Sequence, residues 1–241
     1  MRILVLQHLA VEHPGVFREF MTEDGVRWDT VELDANETIA DLACYDLMMG
    51  MGGPQDVWQE SDFPWLVAEK AAIRTFVVEL RRPYLGICLG HQLLACAIGG
   101  SVGPAAAPEV GVLPVKRTQA GRDDALFAGL PDSFLALQWH GAEVKSLPAD
   151  AVILASSPAC AIQAFTYGTH AIGIQFHIEA THDTVANWAA IPAYARALEQ
   201  SLGKDATQQL ARDVQDRLPE FEHMARQLYE NLRKHVRGTS A

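Results

Sequence analysis

The stretch PYLGICLGHQLLACAIGG, residues 83–100, carries the strongest signal for the fold. Its first part, PYLGI, is an apolar run of strand length, and its second part has the composition of a helix that ends at a Gly-Gly pair. Cys88 lies where the two parts meet, with Gly86 and Gly90 two positions away on either side. The pattern predicts a buried strand, a tight turn and a helix, with a thiol at the turn.

The rest of the first hundred residues alternates between strand and helix patterns. Further candidate strands are RILVLQ, DTVEL and YDLMMG, the last of which runs into a glycine-rich turn. Candidate helices are PGVFREFMTEDG and FPWLVAEKAAIRTFVVEL. This alternation is typical of a parallel sheet with right-handed crossover connections.

The middle and the end of the chain follow other patterns. Short extended runs, among them VGVLPVKRT, SFLALQWHGAEV and HAIGIQFHIE, predict hairpins and extensions of the sheet. The last part is helical, and Phe221, Met224, Leu228 and Leu232 recur there at helical spacing. We predict one domain over residues 1–182, with a helical C-terminal extension over residues 183–241 packed on it.

The composition excludes several classes of function. The chain has 241 residues, a formal net charge of −11 and no cluster of Lys and Arg, so we expect no nucleic-acid partner. Its apolar runs are too short to cross a membrane, and its N-terminus lacks a signal-peptide pattern, so we expect a cytoplasmic protein without membrane contact. The four cysteines contain no CxxC pair, which favours reduced thiols.

Cys88 is the first candidate for chemistry. The pattern G-x-C-x-G is typical of a nucleophile elbow, in which the side chain stands clear of the sheet. A helix beginning at Leu89 would direct its positive dipole end at the sulfur and favour the thiolate, and the Leu89 N–H could donate to an oxyanion. The alternative is a small buried hydrophobic residue at the end of a strand.

Two further segments could complete such a site. On an extended strand His177 and Glu179 would face the same side, so Glu179 could orient the imidazole while His177 exchanges a proton with the thiol. The alternatives are a packed core histidine and a solvated glutamate. The turn at Gly52, Gly53 and Pro54 could direct N–H groups at an anion, or be an ordinary turn. No CxxC follows the H-x-E pattern, which excludes a zinc deaminase site.

Together, GGP, GICLGHQ and FHIE resemble the class I (triad-type) glutamine amidotransferases, and in particular stand-alone members similar to the amidotransferase domain of GMP synthase. The resemblance implies an α/β fold with a doubly wound, mostly parallel (flavodoxin-like) sheet and helices on both faces. It also implies hydrolysis of the glutamine side-chain amide through a γ-glutamyl thioester, without a cofactor or a metal. The residue roles that it implies are a nucleophile at Cys88, a base at His177, its carboxylate partner at Glu179, oxyanion N–H groups at Gly53 and Leu89, and substrate contacts at Gln92, Gly52, His140 and Gly141.

Two positions depart from the family pattern. Ile178 replaces the usual proline between the histidine and the glutamate, and we expect little catalytic loss because isoleucine suits extended backbone. Ala142 replaces the aspartate of an HGD sequence that borders the glutamine pocket in many relatives. A carboxylate at that position could bind the substrate α-ammonium group, and Glu143 would face the other way on a strand. The departure leaves two expectations open: a low affinity for glutamine, or another γ-glutamyl compound as the substrate.

Three functions remain open at this point. The first is glutamine hydrolysis that supplies ammonia, either to a separate synthase subunit or to an acceptor that enters the site. The second is a γ-glutamyl peptidase or hydrolase with the same triad. The third is a non-catalytic binding or regulatory module that keeps the fold. A homodimer is also left open, because the apolar face of the helical extension shows only that something covers it.

Overall fold

The computed structural model describes residues 1–39 and 41–239 and contains a single mixed sheet. In chain order, its strands are β1 (Arg2–Gln7), β2 (Arg27–Glu32), β3 (Leu47–Gly50), β4 (Tyr84–Ile87), β5 (Ser101–Arg117), β6 (Ser133–Ser146), β7 (Ala151–Ser156), β8 (Ala164–Tyr167) and β9 (Ala171–Ile174). The spatial order is β2-β1-β3-β4-β9-β8-β7-β5-β6. The neighbours from β2 to β9 pair in parallel, and β8, β7, β5 and β6 extend the sheet through antiparallel pairs. The predicted α/β fold is confirmed, and its parallel part has the flavodoxin-like order.

Helices cover both faces of the parallel strands. They are α1 (Phe17–Glu23), α2 (Trp65–Arg74), α3 (Leu89–Ala97), α4 (Gln119–Asp123), α5 (Thr184–Ala189), α6 (Pro192–Leu202), α7 (Ala206–Gln215) and α8 (Leu218–Thr239). No helix in the described parts of the chain is long and apolar enough to span a bilayer.

Side chains that alternate along β1 explain why a buried apolar cluster lies on each face of the sheet. Ile3 and Val5 belong to one buried cluster, while Leu4 and Leu6 belong to the other, because successive strand residues face opposite sides of the sheet. Helices α1 and α5 to α8 contribute to the first cluster, and α2 and α3 contribute to the second. Tyr229 of α8 contacts Phe20 of α1 at a ring-centroid distance of 5.7 Å, so the C-terminal helices share a core with the sheet.

Two helices differ from the sequence prediction. The first begins at Phe17 rather than near Pro14, because Gly15 adopts a left-handed conformation with φ +52°. A Cβ at Gly15 would lie 1.8 Å from the Glu179 carbonyl oxygen, so this turn must approach the later loop closely. The second ends its α-helical part at Arg74 and continues as a π-helical turn over Thr75–Glu79. There, the Leu80 N–H donates to the Thr75 carbonyl at 2.9 Å.

Candidate active site

Cys88 occupies a sharp corner between β4 and α3. Its backbone has φ +51° and ψ −104°, a conformation that non-glycine residues rarely adopt and that costs about 1–3 kcal/mol. A Cβ at Gly90 would lie 2.0 Å from the Gly50 carbonyl oxygen, and a Cβ at Gly86 would lie 2.4 Å from the Gly90 carbonyl oxygen. Both flanking positions therefore require glycine, as the elbow pattern predicts.

Hydrogen bonds hold this corner in place. The Cys88 N–H donates to the Ile174 carbonyl at 2.9 Å, and the Gly90 N–H donates to the Met51 carbonyl at 2.9 Å. The buried Tyr84 hydroxyl donates to the Gly90 carbonyl, also at 2.9 Å. These bonds fix the thiol relative to strands β3, β4 and β9 and offset the local backbone strain.

His177 and Glu179 are brought together, but not on a strand. Strand β9 ends at Ile174, so the prediction that both residues lie on an extended strand is wrong. The pair lies on the loop after β9, where an isolated bridge between His177 and Leu137 of β6 fixes the backbone. Their contact is nevertheless close, since His177 Nδ1 lies 2.6 Å from Glu179 Oε1 and both residues are buried.

The electrostatics of His177 favour the protonated ring. Burial lowers the pKa of the imidazole, but the Glu179 carboxylate and the nearby Cys88 sulfur raise it well above its ordinary value. Trp188 of α5 packs its ring edge-on against His177 at a centroid distance of 4.6 Å, which restricts rotation of the imidazole. The ring is thus positioned by Glu179 and Trp188 and lies next to the thiol.

Gly53 and Leu89, the two predicted oxyanion positions, are neighbours. Leu89 is the first residue of α3, so its N–H has no acceptor within the helix. A Cβ at Gly53 would lie 2.8 Å from Leu89 Cδ2, which shows how closely the glycine-rich turn approaches the start of the helix. The Gly90 N–H already donates to Met51, which leaves the Leu89 N–H as the helix donor beside Cys88.

A cavity of about 220 Å³ adjoins the thiol. The predicted site residues in its wall are Gly53, Cys88, Leu89, Gln92, His140 and Gly141. Gly52 does not line the cavity, and its carbonyl instead accepts a hydrogen bond from His8 Nδ1 at 2.8 Å. Ala142 also lines the cavity, whereas Glu143 does not and pairs with Lys145. In the part of the chain that the structure describes, no three His, Cys, Asp or Glu side chains are grouped to hold a metal ion.

Gln92 and His140 are fixed by hydrogen bonds behind the cavity. Gln92 Nε2 donates to Gln175 Oε1 at 3.0 Å and to the Ala142 carbonyl at 3.3 Å, which leaves its Oε1 as the atom available to a ligand. His140 Nδ1 lies 3.0 Å from the Ala142 carbonyl, and its Nε2 lies 3.3 Å from Glu109 Oε2. Glu109 is a buried carboxylate that the sequence patterns do not single out.

A second buried network, also absent from the sequence predictions, lies behind the glycine-rich turn. His8 Nε2 lies 2.9 Å from the Glu69 carboxylate, and both side chains are completely buried. Glu12 accepts a short hydrogen bond from the Tyr194 hydroxyl, and burial raises the pKa of Glu12 to about 7. A Cβ at Gly52 would lie 2.5 Å from Glu12 Oε2, so this carboxyl group directly supports the turn. No local motif marks these residues, because Glu12 and Tyr194 are 182 positions apart.

Comparisons with known proteins identify the family of this chain. The model of the family described as glutamine amidotransferase class-I matches residues 17–187. A subunit of the glutamine-hydrolyzing GMP synthase of Sulfolobus acidocaldarius is 34% identical over 155 residues, which cover 64% of this chain and 78% of that protein. The glutamine amidotransferase-like protein YfeJ of Salmonella typhimurium is 30% identical over 189 residues, which cover 77% of this chain and 78% of that protein.

A solved structure extends the agreement to the whole fold. The crystal structure of a glutamine amidotransferase from Thermotoga maritima matches with a TM-score of 0.86 at 29% identity. The match covers 96% of this chain and 97% of that chain. The resemblance drawn from GGP, GICLGHQ and FHIE is therefore confirmed: this chain belongs to the class I glutamine amidotransferase family.

Proposed function

We propose that this chain hydrolyses the side-chain amide of glutamine through a γ-glutamyl thioester on Cys88. One observation carries the proposal: a strained cysteine at the start of a helix adjoins both a cavity and a buried His177–Glu179 pair. Membership of the class I glutamine amidotransferase family supports glutamine as the substrate.

The first half of the reaction forms the thioester. The Cys88 thiolate attacks the amide carbon, and the N–H groups of Gly53 and Leu89 stabilise the oxyanion of the tetrahedral intermediate. Protonated His177 donates its proton to the amide nitrogen, the C–N bond breaks and ammonia leaves. Glu179 keeps the imidazole oriented and stabilises its positive charge throughout.

The second half regenerates the thiol. Neutral His177 now accepts a proton from water, and the hydroxide attacks the thioester carbon. The same two N–H groups stabilise the second oxyanion, the C–S bond breaks and glutamate leaves. Cys88 is again a thiolate beside a protonated imidazole, so the cycle needs no cofactor.

The substrate contacts follow from the cavity wall. Gln92 Oε1 is available to a donor on the glutamyl portion, because its Nε2 is held by Gln175 and Ala142. Gly141 and His140 lie in the same wall. Since a similar protein is named as one subunit of a GMP synthase, we also propose that the ammonia is delivered to a separate acceptor protein.

A γ-glutamyl hydrolase reaction is the second candidate. It is favoured by Ala142 in the cavity wall, because a methyl side chain leaves more room there for an amine leaving group than the aspartate of an HGD sequence would. The two reactions share the thioester and differ only in the leaving group, which is ammonia in one and an amine in the other.

Turnover of L-glutamine by the purified chain tests the proposal. We expect equal release of glutamate and ammonia, complete loss in Cys88→Ala, and retention in Cys96→Ala, whose thiol does not line the cavity. Release only from a γ-glutamyl amine substrate would favour the hydrolase. Cys88-independent release, or no release from either class of substrate, would contradict the proposal.

A further inference from the structure

Asp56 is a carboxylate at the cavity that has no partner among the described residues. In the described part of the chain it is the only Asp or Glu in the cavity wall, and no Lys or Arg lines that wall. Within the same part, no hydrogen bond or ion pair involves its side chain, which is half-buried. Burial alone raises the pKa of Asp56, as expected for a carboxylate that lacks a compensating donor.

The neighbouring residue presents a second unpaired acceptor. Gln55 Oε1 is buried in the cavity wall and has no hydrogen-bond donor among the described residues. It lies close to the proposed oxyanion position, since a Cβ at Gly53 would be 2.6 Å from it. Buried acceptors are normally paired, so the unpaired Gln55 Oε1 next to the Asp56 carboxylate favours a ligand that supplies the donors.

The segment that carries these acceptors is held in place. The Asp56 N–H donates to Gln59 Oε1 at 2.7 Å, and Lys70 Nζ donates to the Val57 carbonyl at 2.6 Å. Lys70 also pairs with Glu60 at 2.6 Å, so its charge is engaged away from Asp56. The backbone that carries the carboxylate is therefore fixed at the cavity, and Lys70 forms its ion pair with Glu60 rather than with Asp56.

We propose that Asp56 binds the α-ammonium group of the substrate and replaces the carboxylate that is missing at Ala142. An ammonium group has three donors and one positive charge, which match the carboxylate of Asp56 and the amide oxygen of Gln55. The inference rests on the proposed glutamine hydrolysis and narrows its substrate class. The site selects side-chain amides that carry a free α-ammonium group, and it discriminates against analogues without one.

The test compares Asp56→Asn with Asp62→Asn, which removes the same charge from an exposed position on the same segment outside the cavity. We expect Asp56→Asn to raise KM for L-glutamine about 10- to 100-fold, as for loss of a hydrogen bond to a charged group, with a smaller effect on kcat. Asp62→Asn should leave KM unchanged. Glutaramate, the analogue of glutamine without the amino group, should react poorly with the unaltered chain and equally poorly with Asp56→Asn.

A double variant separates loss of the ammonium contact from a general disturbance of the loop. Adding Ala142→Asp to Asp56→Asn should restore much of the affinity for glutamine, because it returns the carboxylate to the position used in many relatives. Unchanged KM in Asp56→Asn, or an equal loss for glutamine and glutaramate, would overturn the assignment of Asp56.

Binding to the Cys88→Ala background distinguishes this inference from the proposed reaction. Calorimetry should show glutamine bound by Cys88→Ala and about 10- to 100-fold weaker binding once Asp56→Asn is added. That result would support the Asp56 contact even if the unaltered chain did not hydrolyse glutamine. Equal binding by both variants, or no binding by either, would overturn it.

Discussion

Replacement of Glu179 by glutamine should lower the pKa of His177. Glu179 Oε1 lies 2.6 Å from His177 Nδ1, and both side chains are buried, so the carboxylate charge acts through little solvent. Its attraction is the largest contribution that raises the pKa of His177 against the effect of burial. Glutamine keeps an oxygen for the Nδ1–H bond but removes the charge.

The size of the shift follows from Coulomb's law for charge centres about 4 Å apart, which are farther from each other than the two hydrogen-bonded atoms. Unit charges about 4 Å apart interact by about 4 kcal/mol at an effective dielectric constant of about 20. One pKa unit corresponds to about 1.36 kcal/mol, so this interaction is equivalent to about three units. Because the surroundings relax in the variant, we expect a decrease of about 1–3 units. The protonated ring, which persists below its raised pKa, would then be lost at a correspondingly lower pH.

The assay is an NMR titration of ¹⁵N-labelled imidazole rings. Cys88→Ala is compared with Cys88→Ala/Glu179→Gln, because removal of the thiol uncouples the titration of His177 from that of its neighbour. Glu19→Gln in the same background is the control, since it removes an exposed carboxylate on α1. In the chain with Cys88 intact, Glu179→Gln should also move the alkaline limb of kcat/KM to lower pH. An unchanged His177 pKa in Glu179→Gln would refute the role of Glu179.

Three further substitutions test other parts of the account. Ile178→Pro should change kcat/KM little and lower the free energy of unfolding by about 1–3 kcal/mol through lost core contacts. Steady-state kinetics and urea unfolding measure the two effects. A strong gain in turnover would contradict the expectation that isoleucine suits the backbone at this position. Gly90→Ala should abolish turnover and destabilise the fold by about 2 kcal/mol or more, because its Cβ would lie 2.0 Å from the Gly50 carbonyl oxygen. Gly238→Ala, on an exposed part of α8, is the control and should be neutral or slightly stabilising in the same urea assay. Equal effects of the two substitutions would contradict the close approach of Gly90 to Gly50. Tyr194→Phe should destabilise the fold by about 1–3 kcal/mol and raise the pKa of Glu12 above about 7, because the hydroxyl favours the ionised carboxyl group. The loss of stability, measured by urea unfolding, should therefore grow as the pH rises through neutrality. A loss no larger than that caused by Tyr167→Phe would count against this hydrogen bond.

Local patterns were sufficient for the parallel half of the fold. The apolar alternation of β1 and the glycines around Cys88 encode short-range geometry, so strand, elbow and helix could be predicted directly. The order of β5 to β8 depends on antiparallel pairing over long separations, which no local pattern specifies. His177 and Glu179 meet as predicted, although pairing with Leu137 rather than an extended strand fixes their backbone.

The supporting residues of the site could not be predicted in the same way. Tyr194 comes from the helical extension and reaches Glu12 near the start of the chain, so only the folded structure brings them together. Asp56 follows a glycine-rich turn, where an aspartate is ordinary. Its significance depends on sharing a cavity wall with Ala142, and only the folded structure brings these two residues together.

Trapping of the covalent intermediate tests whether Cys88 carries the glutamyl group during turnover. The purified chain is mixed with L-glutamine, quenched in acid within the first turnovers, digested and analysed by mass spectrometry. We expect one γ-glutamyl group on the peptide that contains Cys88, labile to hydroxylamine and absent from the Cys88→Ala protein. Glutamate formation without a modified Cys88, or with the glutamyl group on Cys96 or Cys160, would contradict it.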